Sequence, residues 1–200
     1  YVSDYTISGE NDHRGVIIDG FVFDRTPTNK YKENGDLDYS NSPKNDFIWF
    51  ADGEAIIRNN VYVNATERAI RAQTGHVYDN NILFNSHMMA MDVQRGKDET
   101  PVVITNNTFA FSWWYKFGKG EASTGYLLNV GTEVRATIDN NIFEFADNDA
   151  IRMPSEAKNI SLTRNTSSHN LWSDVLNTRD NTLVDDKNFG QLKGFGLNKL

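Results

Sequence analysis

Apolar and polar residues alternate along this chain in short runs, and the runs break at a recurring polar pair. Five segments align: AIIRNNVYVN (55–64), HVYDNNILFN (76–85), VVITNNTFAF (102–111), ATIDNNIFEF (136–145) and ISLTRNTSSH (160–169). An earlier one, VIIDGFVFD (16–24), fits with Gly20 in the Asn place. The aligned column is then Gly20, Asn60, Asn81, Asn107, Asn141 and Asn165. Three residues before it runs an apolar column of Ile17, Ile57, Tyr78, Ile104, Ile138 and Leu162. Just after it come Phe21, Val61, Ile82, Thr108, Ile142 and Thr166. Alternation with a period of two marks a strand, so each unit reads as a short strand, a sharp turn and another short strand. Asn tolerates the left-handed backbone that a tight corner requires, and Gly does so at position 20. Stacked Asn side chains can bond to the coils above and below, which turns one corner into a ladder.

A further strand follows each corner at a nearly fixed distance: DFIWFA (46–51), RAIRAQ (68–73), MAMDVQ (89–94), YLLNVG (126–131), AIRMPS (150–155) and VLNTRD (175–180). Alternation turns Ile48, Ile70, Met91, Leu128, Ile151 and Leu176 inward, with Phe50, Ala72, Val93, Val130, Met153 and Thr178. It turns Trp49, Arg71, Asp92, Asn129, Arg152 and Asn177 outward as one column, and Ala51, Gln73, Gln94, Gly131, Pro154 and Arg179 as the next. The step from Asn60 to Arg71 is 11 residues and recurs from Asn81 to Asp92 and from Asn141 to Arg152; the coil from Asn60 to Asn81 is 21. Three short strands and three corners fit that length. A helical repeat would need a 3.6-residue stripe, which is absent. The expected fold is all-β: a single-stranded right-handed parallel β-helix of about six coils with an Asn ladder, in one domain over 1–200. Its coils run from about 16 to 180, and 183–200, where the repeat is lost, is a cap or a lead-out.

Composition narrows the picture further. The 200 residues are 38% hydrophobic and 24% charged, with no Cys. That is a globular composition, and it excludes a disulfide framework and thiolate metal sites. The net charge of −7 argues against nucleic-acid binding, which wants a basic face. No apolar run is long enough for a helical membrane span. Because it opens on Tyr1 rather than Met, the chain reads as a mature or excised piece of a longer protein.

The inward Asn at a corner between strands, with apolar residues on both sides, resembles the pectate-lyase-like superfamily of right-handed parallel β-helices. The resemblance covers roughly 16 to 180. It implies a substrate groove along the sheet formed by the strands at 46–51, 68–73, 89–94, 126–131, 150–155 and 175–180. Activity is not implied, because one fold of this kind hosts lyases, hydrolases, epimerases, tailspikes and adhesins. The calcium cluster and Arg of pectate lyases, the paired Asp motif of polygalacturonases, and the Lys, Arg and Glu-rich site of chondroitinase-B relatives are each incomplete here.

The outward column is the sharpest candidate site. Adjacent coils lie about 4.8 Å apart, so Arg71 and Arg152 stand roughly three coils apart with Asp92 and Asn129 between them. An Arg can hold a carboxylate bidentately; neutralising a uronate carboxylate acidifies the neighbouring C–H, and a base then removes the proton. Arg71, Asp92 and Arg152 are the expected catalytic residues, with His87 at the column's edge as a base. Asn129, Asn177, Gln73, Gln94 and Arg179 are expected to bind substrate. The competing reading is a solvated face with an Arg71–Asp92 cross-strand pair worth about 0.2–1 kcal/mol. His13, His76 and His169 read as surface or edge residues.

Two insertions, 25–45 and 112–123, fall between the third strand of a coil and the groove sheet, so both should leave the same edge and could wall a cleft. Trp113, Trp114 and Tyr115 in the second suit sugar stacking or packing over the solenoid's side. Asp98 and Glu99, in a shorter excursion, make Ca2+ possible but no metal site is assigned. Four Asn-X-Ser/Thr sequences occur, at Asn64, Asn106, Asn159 and Asn165. The expected partner is an acidic polysaccharide, for a monomer that is secreted, periplasmic or on a bacterial surface. A lyase or C5-epimerase is one reading, and a non-catalytic glycan-binding, adhesin or surface structural protein the other.

Overall fold

A computed structural model of the chain describes residues 5–12, 14–94, 99–112, 125–153, 159–170 and 182–184. They form six coils of three strands. The first coil is β1 (Tyr5–Asp12), β2 (Val16–Asp19) and β3 (Val22–Asp24); the second is β4 (Asp46–Asp52), β5 (Ala55–Arg58) and β6 (Val61–Val63). The third is β7 (Arg68–Gln73), β8 (Val77–Asp79) and β9 (Ile82–Ser86), and the fourth β10 (Met89–Gln94), β11 (Val102–Thr105) and β12 (Thr108–Ser112). The fifth is β13 (Tyr126–Val130), β14 (Ala136–Asp139) and β15 (Ile142–Ala146); the sixth is β16 (Ile151–Arg152), β17 (Ile160–Thr163) and β18 (Thr166–Ser168), and β19 (Thr182–Val184) follows. The strands stack into three sheets. Sheet A runs β1-β4-β7-β10-β13-β16, sheet B from β2 to β17, and sheet C from β3 to β19. Every strand pairs in parallel with the corresponding strand of the next coil. The chain is a parallel β-helix.

The core is a set of columns. Ile18, Ile57, Tyr78, Ile104 and Ile138 stack in sheet B, all buried. Phe23, Tyr62, Leu83, Phe109 and Phe143 stack in sheet C, with Phe23 on Tyr62 at 4.9 Å and Phe109 on Phe143 at 4.8 Å between ring centres. Burying each such side chain stabilises the fold by about 1.5–3 kcal/mol before chain entropy is counted.

Each Asn pair divides its work between its two members. The first Asn takes the left-handed backbone: φ is 56° at Asn59, 52° at Asn80, 58° at Asn106 and 55° at Asn140. The second enters the interior. Asn60, Asn81, Asn107 and Asn141 each donate Nδ2 to the Oδ1 of the next coil's Asn at 2.9–3.1 Å, and Asn165 receives the last of these bonds. The backbone N–H of each donor Asn reaches the same oxygen.

This division moves the first coil by one place relative to the sequence alignment. Val22 pairs with Val61, so Gly20 (φ 79°) shares the corner with Asn59, and Phe21 stands opposite Asn60. Ile18, not Ile17, therefore joins the inward column, and Ile17 is exposed. The alignment put Gly beside the inward Asn because both residues suit a corner; the left-handed residue is the one before it.

Sheet A departs from simple alternation at its first corner. Phe47, Ala69, Ala90, Leu127 and Ala150 are buried next to the inward column Ile48, Ile70, Met91, Leu128 and Ile151. Two consecutive inward residues leave the preceding position, that of Asp46, Arg68, Met89 and Tyr126, on the outer face. The insertion 25–45 joins β3 to β4 and packs as a strap along this corner. Asn29 Nδ2 donates to the Asn64 carbonyl at 2.8 Å, the Thr66 hydroxyl donates to Asn29 Oδ1 at 2.8 Å, and the strap's own Leu37 is buried.

Candidate functional site

Backbone pairing sets the outward column of sheet A in the order Ser8, Trp49, Arg71, Asp92, Asn129 and Arg152. From Trp49 onward this is the column expected from alternation. Asn177 and Arg179 lie outside the described residues, as do Trp113, Trp114, Tyr115 and Asp98. The flanking strands are β12 of sheet C and β13 of sheet A, so this connection joins the same two sheets as the insertion at 25–45.

The column is wired to the second outward position, which sequence patterning missed. Asp46 is 1% exposed and takes two guanidiniums: Arg68 Nε at 2.9 Å on one oxygen and Arg71 Nε at 3.0 Å on the other. Burial raises the Asp46 carboxyl, and Arg68 and Arg71 pull against that rise. Burial alone would lower the Arg68 guanidinium, but Asp46, Asp92 and Glu67 outweigh it and hold it above its usual value. Arg68 also lies 3.7 Å from Asp92 and 3.7 Å from Glu67, whose carboxylate accepts from the Tyr39 hydroxyl of the strap. Asp92 accepts from Asn129 Nδ2 at 2.7 Å and from Gln94 Nε2 at 3.0 Å. The Arg71–Asp92 cross-strand pair of the competing reading is replaced: Arg71 reaches back one coil to Asp46, and Asp92 turns to the amides.

Two arginines of the column lie over aromatic rings. Arg71 sits 5.6 Å from the Trp49 ring centre and Arg152 sits 5.2 Å from that of Tyr126. Three coil steps separate the arginines, about 14 Å at the usual strand spacing. Arg152 is exposed, whereas the Arg71 side chain keeps 20% of its surface. The two cations therefore differ in their roles: Arg71 is held by a carboxylate, and Arg152 faces outward from Tyr126.

His87 is placed at the corner between sheets C and A, 2% exposed, with Nδ1 at 2.9 Å from the Ala65 carbonyl and the Tyr31 ring of the strap beside it. Burial pushes its imidazole down to about 4. His76, expected at a surface or edge, is also buried, with Nδ1 at 3.1 Å from the Tyr78 hydroxyl. Both close corners, where an alternating pattern gives no warning of an inward turn. His169 stacks on Phe145 at 4.7 Å. Gln73 is buried and Gln94 half-buried in the next outward column, paired in register.

Glu99 lies 3.5 Å from Arg135. Among the described residues, no group of three His, Asp or Glu side chains is arranged to hold a metal ion. No helix among them is long and apolar enough to cross a membrane. An open depression of about 360 Å³ lies on sheet B, lined by Arg135, Thr137, Asn159 and Ser161, and does not involve the sheet A column. Set against known family models, curated proteins and solved structures, the chain matches none, and what its structure supports is the parallel β-helix architecture itself.

Proposed function

We propose that the outer face of sheet A is a binding surface for an acidic polysaccharide, on a pectate-lyase-like β-helix that works outside the cell. The observation that carries this reading is the pair of arginines over aromatic rings, Arg71 over Trp49 and Arg152 over Tyr126, three coils apart in one column. A guanidinium over an aromatic ring gains a cation–π attraction, and a guanidinium meets a carboxylate as a fork of N–H donors. The amides of Asn129 and Gln94 lie between the arginines and suit sugar hydroxyls. The strap, tied to Glu67 through Tyr39, walls one side.

Binding without turnover is the reading favoured over a lyase or epimerase. Asp92 is engaged by two amides and lies near Arg68, Asp46 is engaged by two guanidiniums, and the His87 ring is turned into the protein. A general base must reach the proton it removes. Affinity electrophoresis in gels carrying pectate, alginate or a glycosaminoglycan, run beside an ultraviolet assay for unsaturated product, separates the readings. Retardation in at least one gel with no absorbance change is expected. Absorbance growth would favour the lyase, and no retardation in any gel would overturn the binding proposal.

A further inference from the structure

The fold sorts the four Asn-X-Ser/Thr sequences into two kinds. Asn106 and Asn159 are exposed, the first at the corner between sheets B and C and the second just before β17. Asn64 and Asn165 are buried. Asn165 is 0% exposed; its Oδ1 accepts the backbone N–H and the Nδ2 of Asn141, each at 2.9 Å, and its Nδ2 donates to the Ile138 carbonyl at 2.9 Å. Asn64 donates Nδ2 to the Thr26 hydroxyl and accepts from Asn85 Nδ2.

Nδ2 is the atom that asparagine-linked glycosylation modifies. The transferase uses a lipid-linked oligosaccharide diphosphate as donor. A bond forms between Nδ2 and the sugar C1, the bond from C1 to the diphosphate oxygen breaks, and one amide proton is lost. The lipid diphosphate leaves with the electron pair. The transferase acts on extended chain, so later burial gives no protection. A modified Asn165 would keep a single N–H and carry a sugar between coils packed as closely as any protein interior. A modified Asn64 would place it under the strap, where Asn29 closes on the Asn64 carbonyl at 2.8 Å. At Asn106 the side chain already lies outside, bonded to Asp79 Oδ1 at 2.6 Å, and a glycan there would meet solvent.

We infer that this chain reaches its native fold only where Asn64 and Asn165 escape asparagine-linked glycosylation before the coils close, while Asn106 and Asn159 are positions the folded surface tolerates carrying a glycan. This restricts the compartment in which the protein folds to one without that transferase, and it stands independently of what sheet A binds.

The test is secretion of the chain from a glycosylating eukaryotic cell, with site occupancy read by peptide mass spectrometry in both the secreted and the retained fractions. The expected result is retained chain modified at Asn64 or Asn165, and secreted chain modified only at Asn106 or Asn159 or not at all. The double variant Thr66→Ala/Ser167→Ala removes both buried sequons and keeps both Asn residues. Its secreted yield should rise at least fivefold over the parent, although made in bacterial cytoplasm it is no more stable than the parent. A secreted, folded chain carrying a glycan on Asn64 or Asn165 would overturn the inference. Normal secretion with both positions unmodified in every fraction would overturn the restriction on compartment.

Discussion

At the scale of single residues, the two members of each Asn pair carry different energies. Asn107 is buried, accepts from the Asn81 backbone N–H at 2.8 Å and from Asn81 Nδ2 at 3.0 Å, and donates to Tyr78, Thr105 and Asn141. Asn107→Ala leaves several buried polar groups without partners, each costing about 1–3 kcal/mol, so urea denaturation should show a loss of about 3 kcal/mol or more. Asn106→Ala touches only the exposed corner and should cost about 1–2 kcal/mol for the left-handed backbone, which Asn106→Gly would largely spare. Equal losses at positions 106 and 107 would contradict this division.

His87 gives a pH signature at the same scale. Its folded value is lowered to about 4 by burial, against about 6.5 in an unfolded chain. Between these values the unfolded chain binds the extra proton, so stability rises with pH across that window and levels above it. The shift corresponds to about 3 kcal/mol, and His87→Gln should remove the corresponding part of the pH dependence of the unfolding midpoint. An unchanged profile in that variant would place the dependence elsewhere.

At the scale of elements, the strands were legible in the sequence and their outer faces only partly so. Alternation identified the column Trp49, Arg71, Asp92, Asn129 and Arg152, because a parallel register repeats whatever one strand does. It missed Asp46, Arg68 and Tyr126, because two successive inward residues at the corner reverse the parity of everything before them. The partner of Arg71 was not legible either. Asp46 lies one coil away and one column over, a relation that only the closed coil creates. Sequence alignment sets Gly20 one residue late, because Gly and Asn serve the same corner by different means.

The strap lies outside the three-strand plan of the coils. It is held by Leu37 inside it and by Asn29 at its root. Leu37→Ala should cost about 2–3 kcal/mol locally. Trypsin cleavage after Lys30, Lys32 or Lys44 should then speed up by tenfold or more, with little change in the main thermal transition. A large fall in Tm would instead tie the strap to the solenoid's own stability.

At the scale of the whole molecule, the β-helix is a ruler. Side chains one coil apart repeat at strand spacing, so any ligand lying along sheet A meets a linear array rather than a pocket. The Asn ladder that revealed the coils sits at a different corner and holds them in register without touching that array. Fold was therefore readable from repetition, whereas the site depends on positions where successive coils differ: Trp49, Arg71, Asp92, Asn129 and Arg152 share a column, yet no two neighbours in it are alike. Of these, Arg152 is the cation most open to a ligand, and Arg71 is engaged with Asp46.

The most direct measurement is calorimetric titration of the parent and of Arg152→Ala with whichever acidic oligosaccharide retards the protein in gels. Loss of one charged fork should weaken binding about tenfold or more, with no change in the unfolding midpoint, because Arg152 is exposed. Unchanged affinity in Arg152→Ala, with the fold intact, would contradict the assignment of sheet A as the binding face.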